Sequence, residues 1–364
     1  MKKRLLLMLT LLCCFAGFSQ VKINDGTPVP VYDNSNVNTL VNTMLGSTNS
    51  CLVRPANASL TDGVTPSPLR YSDGRGLGTF TNTGTSSFPF SSGVVLVTGN
   101  ARLASGPNYN SPPLNDSGAT AVDWLGDTDL ETAVRPALGA GFRTRNAAVL
   151  EFDFTAVGTS ISIPYIFASE EYGAYKCRSK DAMAILIRQT GSTAPYTNIA
   201  VLPDGNPVSV ATIRTENYGT GTCSAVNPSL FRVYNAGSDA IAQNAATAFE
   251  GETVVLTATY AVTPGVQYHI KIVIADDGNA NNLQDGTDTN GNSGVFFPAG
   301  GVDLGQNVLP ENLTVANNTA LCNVAGASYR IDTGLSALNY TFSWATTTNP
   351  AQIGTGTFLD VSAS

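Results

Sequence analysis

Residues 161–187 constrain this chain more than any other stretch. Ile161, Ile163, Tyr165 and Phe167 fall on alternate positions, the period of a strand with one face in a core. Two adjacent carboxylates, Glu170 and Glu171, follow at the strand's end, between Ser169 and Tyr172. A short polar loop carrying Lys176, Cys177, Arg178 and Lys180 leads to a third acid, Asp181. Residues 182–187 are then continuously apolar, as a central strand buried on both faces must be. Strands of these two kinds need partners, and the surrounding sequence supplies them.

Alternation marks further strands at 147–155, 253–262 and 266–275, with shorter ones near 93–99, 198–202, 208–214, 230–234 and 294–299. Thr263, Pro264 and Gly265 form a turn tripeptide, so 253–262 and 266–275 are expected to pair as a hairpin. One segment has a clear helical period. Val37, Leu40, Val41, Met44 and Leu45 share a face, Ser35 or Asn36 can cap the start, and Gly46 suits the left-handed position just past the end. A weaker helix is expected near 127–138, with Trp124 as a packing anchor. The fold class is therefore mostly β: a jelly-roll-like antiparallel β-sandwich with one short N-terminal helix, over residues 21–305. Beyond it, 319–332 and 340–344 resemble the opening strands of an Ig-like or PKD-like sandwich, with Trp344 as its core residue. Residues 306–364 hold about half such a domain, which predicts truncation because half a sandwich cannot bury its faces.

The start of the chain predicts export. Lys2, Lys3 and Arg4 precede an apolar run of eleven residues, 5–15, and a small-residue exit at Ala16, Gly17 and Ser19. This is the layout of a Sec signal peptide spanning residues 1–20, and no later run approaches the ~20 apolar residues of a membrane span. Without those three cations, 16 basic residues face 27 acidic ones, a net charge of −11. Such a balance argues against nucleic acid as a partner, which needs clustered Lys and Arg. Four cysteines remain after the signal: Cys51, Cys177, Cys223 and Cys322. An exported chain favours bridging them, and three pairings exist. Cys177 and Cys223, both in polar loops beside strands, are the favoured pair.

Glu170, Glu171, Asp181 and Asp276 are the candidate site. If their strand ends share one rim, their hard oxygens suit Ca²⁺; the competing reading is that they cap turns and accept from backbone amides. Catalysis has less support. His269 is the only histidine, which excludes two-histidine zinc motifs, and no nucleophile elbow accompanies it. A glycosidase needs two opposed carboxylates. Glu170 and Glu171, neighbours on extended chain, would point apart, leaving one of them with Asp181 or Asp153. The acidic loop 276–293 fails the EF-hand pattern, with Ser293 at the turn glycine and no Glu at the twelfth position. Tyr71, Tyr109, Trp124, Tyr172, Tyr175 and Tyr218 fall in loops, where exposed rings can stack on sugars.

In order along the chain, residues 40–46 leading to Cys51, residues 90–99, 150–154 (Leu-Glu-Phe-Asp-Phe), 165–172 (Tyr-Ile-Phe-Ala-Ser-Glu-Glu-Tyr), 198–200, 207–209, 262–265, 268–276 and 293–297 resemble the choice-of-anchor L domain of bacterial surface proteins. The resemblance covers about 35–305. It departs where the family's Asn-Asp after the acidic turn is Lys180-Asp181, and where 279–292 is longer than usual. It implies an exported module without an assigned enzymatic activity, often followed by Ig-like repeats and a sorting domain. The signal's Phe18-Ser19-Gln20 end is similar to those of Bacteroidetes, which implies type IX secretion.

The expectation is thus a secreted or cell-surface adhesion module that binds an extracellular glycan or protein without catalysis. The alternatives are a surface polysaccharide hydrolase using acidic residues, and a purely structural spacer.

Overall fold

The computed structural model describes residues 21–23, 34–46, 56–61, 76–83, 87–108, 125–156, 158–173, 176–216, 223–236, 238–278, 291–304, 328–332, 344, 354–355 and 358–362. The signal segment, Cys51, Cys322 and most of loop 276–293 lie outside them. So do Trp124 and, of the six loop aromatics, Tyr71, Tyr109, Tyr175 and Tyr218.

The strands run in chain order as β1 (Val21–Ile23), β2 (Ala56–Thr61), β3 (Leu77–Asn82), β4 (Ser92–Val97), β5 (Thr144–Thr155), β6 (Ser160–Ser169), β7 (Ala182–Gln189) and β8 (Thr197–Asn198). They continue as β9 (Val208–Ser209), β10 (Phe231–Tyr234), β11 (Gly251–Thr253), β12 (Leu256–Ala261), β13 (Gln267–Asp277), β14 (Ser293–Pro298), β15 (Ser328–Asp332) and β16 (Phe358–Ser362). Among the described residues, three α-helices accompany them: α1 (Asn34–Leu45), α2 (Thr128–Leu138) and α3 (Asp239–Gln243). The first sheet has the order β1-β3-β4-β14-β6-β11-β10, with β12 also on β6. The second has the order β2-β5-β13-β7-β8, with β9 also on β7. Every pairing is antiparallel. The two sheets form the expected β-sandwich.

Alternation along each strand decides what fills the space between the sheets. Leu96, Phe167 and Val295 from the first sheet meet Leu150, Met183, Ile185, Ile272 and Ile274 from the second in one buried cluster, with Leu40, Val41 and Met44 of α1. The outer face of the first sheet is covered by Phe88, Phe90, Ala246, Ala248 and Phe249 from loops. Leu130, Val134 and Leu138 of α2 cover part of the outer face of the second. This double cover explains the unbroken apolar run of β7 and the burial of β13 from Ile270 to Asp276.

The helix ends are closed by particular groups. Asp127 caps α2 by accepting from the Leu130 amide at 2.8 Å. Gly46 follows α1 at φ +80°, as its residue type predicts. The Gly300 and Val302 amides donate to the Thr43 and Met44 carbonyls in the last turn of α1, at 2.9 and 3.1 Å.

One expected pairing is wrong. β12 and β13 do not form a hairpin: β12 pairs with β6 in the first sheet, while β13 pairs with β5 and β7 in the second. Residues 263–265 instead arch between the sheets, with Gly265 at φ +79°. The reason is that β13 is central and flanked on both sides, so it has no edge to offer, whereas β12 buries only alternate residues. The strands expected at 198–202 and 208–214 are also shorter, ending at Asn198 and Ser209. In the region 306–364, β15 and β16 form an antiparallel pair, and Trp344 bridges Gly354.

Candidate functional site

The inter-sheet core ends in a polar layer. One alternation step beyond Leu96, Phe167, Val295, Met183, Ile274 and Ala148 come Thr98, Ser169, Ser293, Asp181, Asp276 and Asn146. All six are buried. Ser293 joins the sheets: its hydroxyl lies 2.9 Å from Ser169 Oγ and donates to Asp181 Oδ2 at 2.7 Å. Asp181 Oδ1 accepts from the Asp277 amide at 2.9 Å and from Ser179 Oγ. Asp276 Oδ2 accepts from Asn146 Nδ2 at 2.9 Å. Thr98 Oγ1 accepts from the Ser293 amide. A buried polar atom left without a partner costs about 1–3 kcal/mol, so this layer holds the two sheets in one register.

The four predicted acids do reach the same rim, by different routes. Glu170 and Glu171 are not on extended chain; they open a 3-10 turn, Glu170–Tyr172, whose start Ser169 caps by accepting from the Glu171 amide at 3.0 Å. Glu170 Oε2 accepts from the backbone amide of Asn292 at 3.0 Å and lies 3.4 Å from its side-chain nitrogen. Glu171 is buried beside Tyr172. A calcium ion here would compete with the amide and hydroxyl donors that these oxygens accept from. Among the described residues, no three or more His, Cys, Asp or Glu side chains are grouped to hold a metal ion.

Two further expectations meet the structure here. Cys177 and Cys223 are bridged, with Cα atoms 5.5 Å apart. Tyr172 is no exposed platform: it is 2% exposed and packs edge-on to Phe231 at 4.8 Å between ring centres.

A second cluster, which sequence reasoning did not assemble, lies on the second sheet's outer face beside the start of α2, with Asp153 and Lys271 buried and Glu151 and His269 partly exposed. Asp153 pairs with His269 and Glu151 with Lys271 across β5 and β13. His269 Nδ1 lies 2.7 Å from Asp153 Oδ1, and Nε2 lies 3.1 Å from Glu151 Oε2. Only the imidazolium donates to both. The Glu151 hydrogen bond, followed by that of Asp153, holds the imidazole above its usual pKa, against burial. The same bond holds the Glu151 carboxyl below the usual carboxylate range. Lys271 Nζ lies 2.6 Å from Asp127 and 2.7 Å from Asp129. Burial alone would lower the Lys271 ammonium, but the two aspartates outweigh it and raise it. Beside them the Arg188 guanidinium sits 4.0 Å over the Tyr196 ring, whose centre is 6.1 Å from that of His269. The sequence carried a signal for this row: Glu151-x-Asp153 and His269-x-Lys271 each put two polar side chains on one face of a strand.

The first sheet carries a cleft of about 390 Å³ lined by Arg232, Glu252, Asn235 and Ile241. Its charges are spent internally. The Glu252 carboxylate takes Arg232, Thr247 Oγ1 and Asn235 Nδ2.

Fold and sites together define a two-sheet antiparallel module, closed at one rim by a polar layer and carrying a partly buried ionic row on the second sheet's outer face. The match to known families names the class further. Residues 28–303 match the choice-of-anchor L domain, and the chain belongs to that family of exported, surface-associated modules. No curated protein and no solved structure matches it. Among the described residues, no helix is long and apolar enough to cross a membrane.

Proposed function

We propose that this protein is a secreted, cell-surface binding module, engaged in adhesion to an extracellular glycan or protein and without a catalytic step of its own. The observation that carries this reading is the outer-face row of Glu151, Asp153, His269, Lys271, Arg188 and Tyr196. These side chains stand on or beside β5, β7 and β13, strands that the core locks from the other side; Asp153 and Lys271 are buried beneath, so a partner would meet the partly exposed Glu151, His269, Arg188 and Tyr196, a preorganised surface of mixed charge with one aromatic ring. Family membership supports surface display, and the basic-then-apolar segment 1–20 supports export. The type IX route rests on the Phe18-Ser19-Gln20 ending alone.

The hydrolase alternative needs opposed carboxylates across a cleft. Asp153 is engaged by His269, roughly 20 Å along β5 from the rim acids at 3.3 Å per residue. Asp181 already accepts from Ser179, Asp277 and Ser293.

The test is retention of the secreted chain on a glycan array and on cell-surface protein extracts, with Tyr196→Ala and Arg188→Ala in parallel. Binding that falls at least about tenfold in both variants, a loss of about 1.4 kcal/mol, supports the reading. Binding unchanged in both variants moves the contact face elsewhere. No retention by the wild type favours a spacer, and release of reducing sugar ends favours the hydrolase.

A further inference from the structure

Glu250 is a carboxyl that neither the polar layer nor the ionic row uses. It immediately precedes β11 and lies against the turn that ends β6. Burial raises its pKa, outweighing the Gly173 amide, whose donation to the carboxyl favours the ionised form. A Cβ at Gly173 would overlap its Oε2, and that oxygen is buried with no hydrogen-bond partner among the described residues. Turn and strand interlock in both directions: a Cβ at Gly251 would stand 2.7 Å from Tyr172 Cδ2. Two bare glycines thus seat a carboxyl on one side and a phenol ring on the other.

Apart from the Gly173 amide, the surroundings do not suit an anion. The turn brings Glu170, Glu171 and Tyr172. From β10 comes Tyr234, whose phenol is raised by burial and then by the Glu250 charge. Arg232 of β10 is directed to Glu252 and the Ser87 carbonyl. Lys176, past the turn, donates to the Thr215 carbonyl at 3.0 Å and to that of Glu216.

We propose that Glu250 is a pH-sensitive latch on the turn of residues 170–173. Neutral, its carboxyl fills the notch at Gly173 and joins the turn to β11. Ionised, it leaves the notch for water. The turn then loosens, with the segment 176–181 that the disulfide ties to Cys223. Burial lifts the Glu250 carboxyl from 4.5 to about 7, which sets the release near neutral pH. The folded state therefore holds this proton more tightly than the unfolded chain does. The latch is complete below pH 4.5 and is lost as pH rises through about 7.

The experiment is hydrogen exchange on peptides covering 169–181 in the full chain, from about pH 5.5 to about 8.5, corrected for intrinsic rates. Wild-type protection is expected to fall by at least about tenfold as the pH rises through neutrality. The isosteric Glu250→Gln removes the step. Gly173→Ala, which crowds the carboxyl out of the notch, moves the midpoint downward. A step that survives in Glu250→Gln, or flat wild-type protection, overturns the proposal. Should Glu250→Gln fail to fold, an unmoved midpoint in Gly173→Ala overturns it alone.

Discussion

His269 shows how one side chain can gather several charges. Its two nitrogens face two carboxylates of the same strand, so its protonated form is the one the fold selects. The imidazole is raised, so its stabilisation is complete below pH 6.5 and is lost as pH rises through its folded value. Glu151 is depressed, so its share is complete above 4.5 and is lost as pH falls through its lower folded value. The Tm of the wild type should therefore be highest between these limits, and His269→Gln should flatten the alkaline side of the profile. A Tm profile unchanged in His269→Gln would remove the bracket as a stabilising device. Glu252 makes the other residue-scale prediction. It is fully buried, and Arg232→Met would strand its carboxylate at a cost of about 3–5 kcal/mol, read as a fall in the urea midpoint. Thr247 and Asn235 remain to hold it, so the lower end of that range is expected.

Among the elements, the acidic turn and the disulfide belong together. Cys177 lies between the turn and β7, and Cys223 lies 46 residues on. Their bridge ties the segment 176–181 to the one ahead of β10. Replacing both by Ala is expected to destabilise by about 2–4 kcal/mol for a loop of this length, with exchange protection lost first in residues 176–181. Uniform loss across the sheets instead would show that the bridge acts only through the unfolded chain. β12 and β13 carry the lesson about legibility. Alternation places both strands, and the Thr-Pro-Gly tripeptide does turn the chain. What alternation does not contain is the partner: a tight connection serves a hairpin or an arch between sheets equally well. That choice fell to burial on both faces of β13.

At the scale of the whole molecule, the polar layer ties the two sheets at one rim. Because Asp181, Asp276 and Glu170 accept from Ser293, Asn146 and Asn292, the rim is expected to give the same Tm in EDTA and in millimolar calcium. An upward shift with calcium that is lost in Asp181→Asn would instead make these oxygens metal ligands. Ser293→Ala tests the layer itself. It removes the one hydroxyl between Ser169 and Asp181, and should cost about 1–3 kcal/mol by leaving a buried carboxylate oxygen without its donor.

Much of this was written in the local sequence. Period-two apolar patterns determined the long strands, the i, i+3, i+4 face determined α1, and the family's residues determined the family. These are short-range signals, because a strand's faces and a helix's stripe repeat within a few residues. Tertiary structure alone decided which strands are neighbours. It decided that Glu170 and Glu171 turn rather than extend, that Tyr172 is interior, and that Glu151, Asp153 and His269 meet. Each depends on contacts between residues far apart in the chain, up to more than a hundred positions for His269 and its carboxylates. Register between such segments is set by the packing of both faces at once, which no window of sequence contains.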